Sequence, residues 1–581
     1  LMPVADPSGL DLVPVRQIVE QVVKEPLSGL EMFIDAAGTV YTRDLVTGKF
    51  NIWQDAASGL YRFEAFNPEV NPGAVQTFWS TTQDPRAGTI YRSNKSTVLT
   101  NPQSFTFTPR FIQVNDPALE ASLMPVLEQF LAGDIIFNEG VHLASSDTDI
   151  YLEAFGRITG ENVTIRSTAV DGTVTLKAGD DITLGDLTLQ ANQRVSISSS
   201  RSSLENGQIV GGNVTLNATI GGYDRALQEL EISAEGNISL GSTMQAAQSV
   251  ELAADGLVQT TGSGRIVTDA LTLTAGAGVN IRTTAATLDL TATGAGDVIV
   301  NEQDGLVIQS MSAVDGNVTL NAGDLTVNPT VDVSGSITVN SSGNVELHGS
   351  VTSDGSVAID SSGSVELHGS VTSNGSITID STGSVDLHSR VTSGSAIAIE
   401  AGGTVNASSL KSAGATALES GGAVSVIGSV ESGADLTVIA ENDFGFGTAT
   451  VAGTAILTSN TGSISGTSIE SAADLTAVAE SNIVFGTATV AGTATLTSNT
   501  GSINGTNLTA TGAVLKAGTG IGDVAVFPIS VEALSATTTS GSIHIENDRA
   551  GDVAVSRLSA VNGDVRFRQQ TAGSLRVDSV A

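Results

Sequence analysis

Cysteine is absent from this sequence of 581 residues, and both basic and aromatic residues are scarce. Without cysteine the chain has no disulfide bond, no thiolate metal site and no thiol nucleophile. Its 25 Lys and Arg stand against 61 Asp and Glu, which gives a formal net charge of −36. This charge repels phosphate backbones and anionic lipid headgroups, so we expect neither nucleic acid nor membranes as partners.

Long apolar runs are also missing. No stretch approaches the roughly 18 apolar residues that a membrane helix needs, so we expect no membrane insertion. The first residues, LMPVADPSGL, lack the basic and apolar regions of a signal peptide. Because the sequence starts with Leu rather than Met, we interpret it as a mature form or a fragment.

Aromatic residues are distributed unevenly and divide the chain in two. Of the 23 aromatics, 17 lie at or before Phe155, including Trp53 and Trp79. Aromatics fill irregular globular cores, whereas a narrow stacked interior is built from Val, Ile, Leu and Ala. We therefore predict an N-terminal domain over residues 1–155 and a repeat domain over residues 156–581.

The N-terminal region predicts a small β-rich domain that caps one end of the repeats. Apolar spacing predicts short helices over Leu12–Lys24 and Pro117–Leu131, with short alternating strands between them. A repeat array needs such a cap, because a bare terminal coil exposes apolar side chains and unpaired backbone groups.

Self-similarity is the strongest signal in the sequence. Residues 341–360 read SSGNVELHGSVTSDGSVAID, and residues 361–380 and 381–400 repeat this 20-residue unit. A longer unit starting at Phe446, FGTATVAGTAILTSNTGSISGT, recurs from Phe485, an offset of 39 residues or about two short units. A shorter phrase, GDVAV, occurs at 522–526 and at 551–555.

Alternation within each unit predicts short strands with one apolar side. Val345, Leu347, Val351, Val357 and Ile359 are predicted to point inward, with Gly, Ser, Asn and Asp at the corners. The fold class that follows is all-β: a parallel β-helix, or β-solenoid, of ~20-residue coils. About 21 coils spaced ~4.8 Å apart would make a rod on the order of 100 Å long.

The repeat region resembles a known family of surface proteins. VTLKAGDDITLGDLTLQA (174–191), GNVTLNAGDLTV (316–327) and SSGSVELHGSVTSNGSITID are similar to the repeats of filamentous-haemagglutinin-type exoproteins and of large repetitive planctomycete-type surface proteins. The resemblance covers roughly residues 156–581 and implies an extracellular location on the bacterial cell surface. The N-terminal region lacks the flanking pattern of the Asn-Pro-Asn-Gly turn found in the secretion domains of that family.

Histidines repeat at intervals of exactly one coil. His348, His368 and His388 should form an outward ladder beside the carboxylates Glu346, Glu366 and Asp386. Imidazole and carboxylate groups on one face suit a transition metal or a response to pH. The alternative is that a duplicated repeat copied its surface residues together with its core.

A second outward ladder is purely acidic and consists of Asp360, Asp380 and Glu400. Carboxylate oxygens suit calcium, so weakly bound calcium is the only cofactor that we predict. The nonapeptide calcium repeat of RTX proteins is absent, which argues against a tightly built-in ion.

Three functional classes remain open. The first is a structural protein that associates with itself in an extracellular fibre or surface layer. The second is an adhesin stalk that binds a cell-surface protein or glycan, with Trp53 and Trp79 as candidate partner-binding residues. The third, a polysaccharide-degrading β-helix enzyme, is disfavoured because such sites need an irregular cleft and nearby basic residues, so we predict no enzymatic activity.

The final segments, GDVRFRQQ and GSLRVDSV, still alternate, and we expect the chain to continue or to stack on another subunit there.

Overall fold

The fold was obtained as a computed structural model. It describes residues 134–579 apart from 138–139, 147, 155, 201–202 and 206–207, together with eight short strands before residue 94. All regular secondary structure among these residues is β-strand. The described part of the chain therefore contains no helix that is long and apolar enough to cross a membrane.

The N-terminal strands form an antiparallel sheet in the order β1-β2-β8-β7-β6-β5 and a separate pair, β3 and β4. Their bounds, from β1 to β8, are Val4–Ala5, Asp11–Pro14, Leu30–Ile34, Val40–Asp44, Trp53–Gln54, Tyr61–Phe66, Val75–Ser80 and Ile90–Ser93. The helix predicted over Leu12–Lys24 is wrong at its start, because pairing with β8 holds Asp11–Pro14 as a strand. The rest of that segment and the helix predicted over Pro117–Leu131 lie outside the described residues.

The remaining strands belong to one long stack, apart from a hairpin formed by Ser203–Glu205 (β17) and Gln208–Val210 (β18). Strands β9 to β31 span Ile135–Phe137, His142–Ser145, Ile150–Ala154, Ile158–Glu161, Thr164–Ser167, Thr173–Ala178, Ile182–Gln190, Arg194–Ser199, Ser203–Glu205, Gln208–Val210, Val214–Gly221, Glu229–Ala234, Ile238–Leu240, Thr243–Gln245, Ser249–Ala254, Val258–Thr260, Arg265–Ala275, Val279–Ala295, Val298–Glu302, Leu306–Asp315, Val318–Ala322, Leu325–Val327 and Val331–Val333. Strands β32 to β58 span Ile337–Ser341, Val345–Leu347, Val351–Ser353, Val357–Ser361, Val365–Leu367, Val371–Ser373, Ile377–Ser381, Val385–Ser393, Ile397–Ala401, Val405–Ser412, Thr416–Ser420, Val424–Ser432, Leu436–Ala440, Phe444–Val451, Ala455–Ser459, Ile464–Ser471, Leu475–Ala479, Ile483–Val490, Thr493–Ser498, Ile503–Thr509, Gly512–Ala517, Phe527–Ser530, Ala533–Thr538, Ile543–Asn547, Val553–Ala560, Val565–Gln569 and Leu575–Val577.

Each regular coil has three sides. In one coil these are Val357–Ser361, Val365–Leu367 and Val371–Ser373, and we name the faces built from their register partners face A, face B and face C. The three corners of this coil are 362–364, 368–370 and 374–376. The next coil pairs in parallel with no shift, because the repeat of 20 residues places identical positions on top of each other.

Parallel pairing along face A is continuous from Ile135 to Val577. It passes through 21 successive pairings, which confirms the predicted β-solenoid and its number of coils. The first strand of the stack is Ile135–Phe137, which lies before the boundary predicted at residue 156. Composition placed the boundary after the last N-terminal aromatics, but Phe137 is buried in the first coil and Tyr151 points outward from it.

Alternation places the apolar side chains inside, as predicted. Val345, Leu347, Val351, Val357 and Ile359 are each no more than 5% exposed. Hydrophobic burial along this narrow interior is the main stabilising term, since each coil contributes several fully buried Val, Ile or Leu side chains.

The buried serines that end the face A strands were not predicted from the sequence. Ser361 and Ser381 end their face A strands with the side chain inward, and each hydroxyl donates a 2.7 Å hydrogen bond to a glycine carbonyl of the preceding coil. A buried hydroxyl needs such a partner. The accepting glycines are required as well: a Cβ at Gly363 would lie 2.7 Å from the backbone of Gly343.

Candidate functional sites

The three repeated histidines form the predicted ladder beside face B. Ring centroids are 4.8 Å apart between His348 and His368 and 4.7 Å apart between His368 and His388. The rings are nearly parallel, with interplanar angles of 10° and 6°. Because the ring spacing equals the spacing between coils, the backbone register itself stacks these imidazoles.

Two glutamates bridge the Nε2 atoms of this ladder. Glu346 Oε1 lies 3.1 Å from His348 Nε2 and 3.5 Å from His368 Nε2. Glu366 Oε1 lies 3.3 Å from His368 Nε2 and 2.9 Å from His388 Nε2. We call these five residues the histidine ladder. Their donor atoms form two groups of three, each with two imidazoles and one carboxylate.

Asp386, the third carboxylate predicted beside the histidines, is engaged elsewhere. Its Oδ1 accepts a 2.6 Å hydrogen bond from Asn406 Nδ2 on the following coil. Among the described residues, both groups of at least three converging metal-type donors belong to the histidine ladder, and Asp386 is in neither.

The acidic ladder occupies outward positions of face A. Asp360 pairs in register with Asp380, and Asp380 with Glu400. Glu419 continues the row, a residue that the repeat pattern missed because its coil has diverged from the 20-residue unit. These carboxylates do not form a converging group of donor atoms like that of the histidine ladder. Calcium binding there stays a prediction.

Trp53 and Trp79 lie in one row across the N-terminal sheet. Trp53 is the register partner of Arg62, Arg62 is the partner of Trp79, and Trp79 is the partner of Tyr91. Four adjacent strands therefore carry a continuous row of Trp, Arg, Trp and Tyr. Tryptophan, tyrosine and arginine are the residues most enriched at binding hot spots.

A buried glutamate lies inside the solenoid, at the position where other coils have the buried serine that ends the face A strand. Glu302 ends the face A strand Val298–Glu302 and is 8% exposed. Its Oε2 accepts hydrogen bonds from the Thr283 hydroxyl (2.6 Å) and the Ala285 amide (3.0 Å). Its Oε1 accepts one from the Gln303 amide (2.8 Å). Burial raises the pKa of the Glu302 carboxyl above its ordinary value, and the bonds from Thr283 and the two amides oppose that shift.

This shift predicts a pH dependence of stability. A carboxyl with a raised folded-state pKa binds its proton more tightly in the folded state, so stability falls as pH rises from the ordinary pKa through the raised one. We expect wild type to lose stability over this window relative to Glu302→Gln, measured by urea unfolding at a series of pH values. Parallel pH profiles of the two proteins would contradict it.

An uncharged surface covers four coils of face A. The outward side chains there are all β-branched: Thr437, Ile439, Ile456, Thr458, Thr476, Val478, Thr495 and Thr497. Parallel pairing aligns them in two rows. One row ends at Glu419 in the coil before and at Lys516 in the coil after, whereas the other row continues to Ala417 and Val514.

Carboxylates form a rim along both sides of this uncharged surface. At one corner, Asp435 and Asp474 each accept a hydrogen bond from a backbone amide of the next coil. At the other corner, Glu441 and Glu480 each accept one from an asparagine side chain. A centre without charge and a charged rim resemble a protein interface, whose core is depleted of charged residues.

Comparison with protein families found one match. Residues 416–580 match the model of the Toastrack family, DUF4097. The matched segment contains the uncharged surface but not the histidine ladder. Comparisons with curated proteins and with solved structures found no match. Together with the observed stack, the match fits a repetitive β-solenoid protein, while the likeness to filamentous-haemagglutinin-type exoproteins stays a resemblance.

Proposed function

We propose that this chain is a structural element of a bacterial cell surface, a rod that associates with its own copies in an extracellular fibre or surface layer. The observation that carries this proposal is the uninterrupted face A ladder of 21 pairings with short corners. Twenty-one steps of about 4.8 Å give a stiff spacer on the order of 100 Å long. The three-residue corners of the regular coils favour a mechanical role over a catalytic one, because they leave little chain there from which to build a cleft.

The uncharged surface is where two copies would meet. The chain carries a formal net charge of −36, so most surfaces of two copies repel each other. Two copies would repel each other least if they met at these eight neighbouring uncharged side chains. A second solenoid also has the same spacing between coils, so its β-branched rows would interdigitate with these rows over all four coils.

The size of this surface predicts weak individual contacts. Four coils and two rows cover on the order of 200 Å², well below the roughly 800 Å² that each partner contributes to a stable complex. Contacts of this size become effective when many act together, as in a fibre or a layer. The acidic rim adds repulsion, which divalent calcium would relieve.

Charge substitutions on the uncharged surface test this proposal. Ile456→Glu combined with Val478→Glu is expected to weaken lateral association roughly tenfold or more, because the added carboxylates lose water in the contact and repel the same carboxylates of the partner. Sedimentation and electron microscopy of the 581-residue chain at micromolar concentration, with calcium and with chelator, would measure it.

The matched control is Thr352→Glu combined with Thr372→Glu, which adds the same charge to adjacent coils on face C. The control should associate like wild type, and calcium should promote association of both. Single rods of wild type that calcium does not change would sink the proposal. Equal association by wild type and both variants would mean that the contact lies outside the uncharged surface.

An adhesin stalk is the second candidate, and the row of Trp53, Arg62, Trp79 and Tyr91 favours it. In that case the solenoid would be a spacer that presents the N-terminal sheet to a cell-surface protein or glycan. Single rods in the experiment above, together with glycan or cell binding that Trp53→Ala and Trp79→Ala abolish, would favour the stalk over the fibre.

A further inference from the structure

We propose that the histidine ladder is a binding site for one divalent transition metal ion, with zinc as the reference ion. The inference is independent of whether the rods associate. It starts from the donor set: each group of three combines two imidazole nitrogens with one carboxylate oxygen. Two histidines and a glutamate are a known ligand set for zinc, with a fourth position left to water.

Distances between the donors fit a coordination shell. Ligands bound at about 2.1 Å in a tetrahedron lie about 3.4 Å from each other. The four contacts between Nε2 and Oε1 atoms in the ladder are 3.1, 3.5, 3.3 and 2.9 Å. All donor atoms of each group lie within 4.8 Å of one another. Small side-chain rotations would therefore bring three donors onto one ion.

Donor chemistry separates this site from the acidic ladder on face A. Imidazole nitrogen suits zinc, copper and nickel, whereas calcium takes oxygen ligands. The side chains of Glu346 and His368 are 41% and 36% exposed, so an ion can enter from solvent without any opening of the stack.

His368 determines the stoichiometry. Its Nε2 atom belongs to both groups, with Glu346 and His348 on one side and with Glu366 and His388 on the other. One nitrogen lone pair binds one ion, so the two groups cannot both be filled with three ligands. The ladder should hold one ion tightly, and a second ion would find only one imidazole and one carboxylate.

Bound metal would join consecutive coils. The ligands of each group come from two coils that only the parallel register brings together. An ion that binds the folded stack and not the unfolded chain stabilises it by mass action. This gives a readout that does not depend on any assay of function.

A calorimetric titration of the full chain with zinc chloride tests the proposal. Wild type should bind about one ion per chain in the tight phase, and cobalt should give the visible absorption of a tetrahedral site. His368→Ala is expected to weaken zinc binding by roughly tenfold or more. His142→Ala, which removes an exposed histidine from the first coil, should bind like wild type.

Hydrogen exchange of residues 341–400 provides the second measurement. Zinc should slow exchange there in wild type and in His142→Ala, but not in His368→Ala. Circular dichroism confirms that each variant keeps its sheet content. Zinc binding that His368→Ala leaves unchanged would place the ion on the general acidic surface and overturn the proposal, as would the absence of saturable binding to wild type.

Discussion

Val371→Asp is expected to unfold the coils around it, whereas Thr372→Asp, one residue further along the same strand, should leave the stack intact. Val371 is 2% exposed and lies between Val351 and Val391 in the interior. A carboxylate there would have no partner to offset its desolvation, and such substitutions cost about 4–5 kcal/mol. Thr372 points outward and is exposed, so the same added charge should change stability by about 0.5 kcal/mol or less.

Hydrogen exchange resolved along the chain measures this difference. Each coil of a repeat stack contacts only its neighbours, so damage should be local. In Val371→Asp we expect lost protection in the coils that contain Val351, Val371 and Val391, with distant coils unchanged. Similar exchange in the two variants would contradict the inward and outward assignments on face C.

Alternation and repeat length were enough to predict the fold, since both can be read directly along the sequence. They gave the coil of 20 residues, the inward residues and the stacking of His348, His368 and His388. Similar sequence did not always mean similar structure. GDVAV at 551–555 contains two valines buried to 1% exposure, whereas in GDVAV at 522–526 Val524 is 85% exposed. The flanking pairing determines that difference, and no local pattern encodes it.

The candidate sites were less predictable because they join residues of different coils. The spacing of the histidines predicted their ladder, but not that Glu346 and Glu366 bridge it while Asp386 binds Asn406. The uncharged surface was missed because its four strands, LTVIA, AILTS, LTAVA and ATLTS, are not copies of one unit. The available signal was the absence of charge at the second and fourth positions of successive face A strands.

Packing inside the solenoid explains the longer repeat of 39 residues. Phe446 pairs in register with Gly466, Gly466 with Phe485, and Phe485 with Gly505. Large and small residues thus alternate from coil to coil. One phenylalanine fills the space over two coils, since a Cβ at Gly466 would lie 2.2 Å from Cζ of Phe446. A single coil cannot repeat such a pattern, so the unit that was duplicated contains two coils.

This alternation predicts a large coupling between Phe446 and Gly466. Phe446→Ala should cost about 3–5 kcal/mol by opening a cavity, and Gly466→Val about 1–3 kcal/mol or more by forcing the ring aside. In the double variant the new valine methyls enter the space left by the ring. Its loss of stability should therefore be smaller than the sum of the single losses by about 1–3 kcal/mol, measured by urea unfolding as a double-mutant cycle.

Gly445→Val is the matched control for this cycle. A Cβ at Gly445 would meet only Ser465 Oγ, at an ordinary contact distance of 3.6 Å. Valine is favoured in strands, so this substitution should be neutral or slightly stabilising, and it should not couple to Phe446→Ala. Strict additivity of Phe446→Ala and Gly466→Val would mean that ring and glycine do not share one space. Since the 39-residue unit rests on that shared space, the cycle tests the origin of the repeat as well as the packing of one phenylalanine.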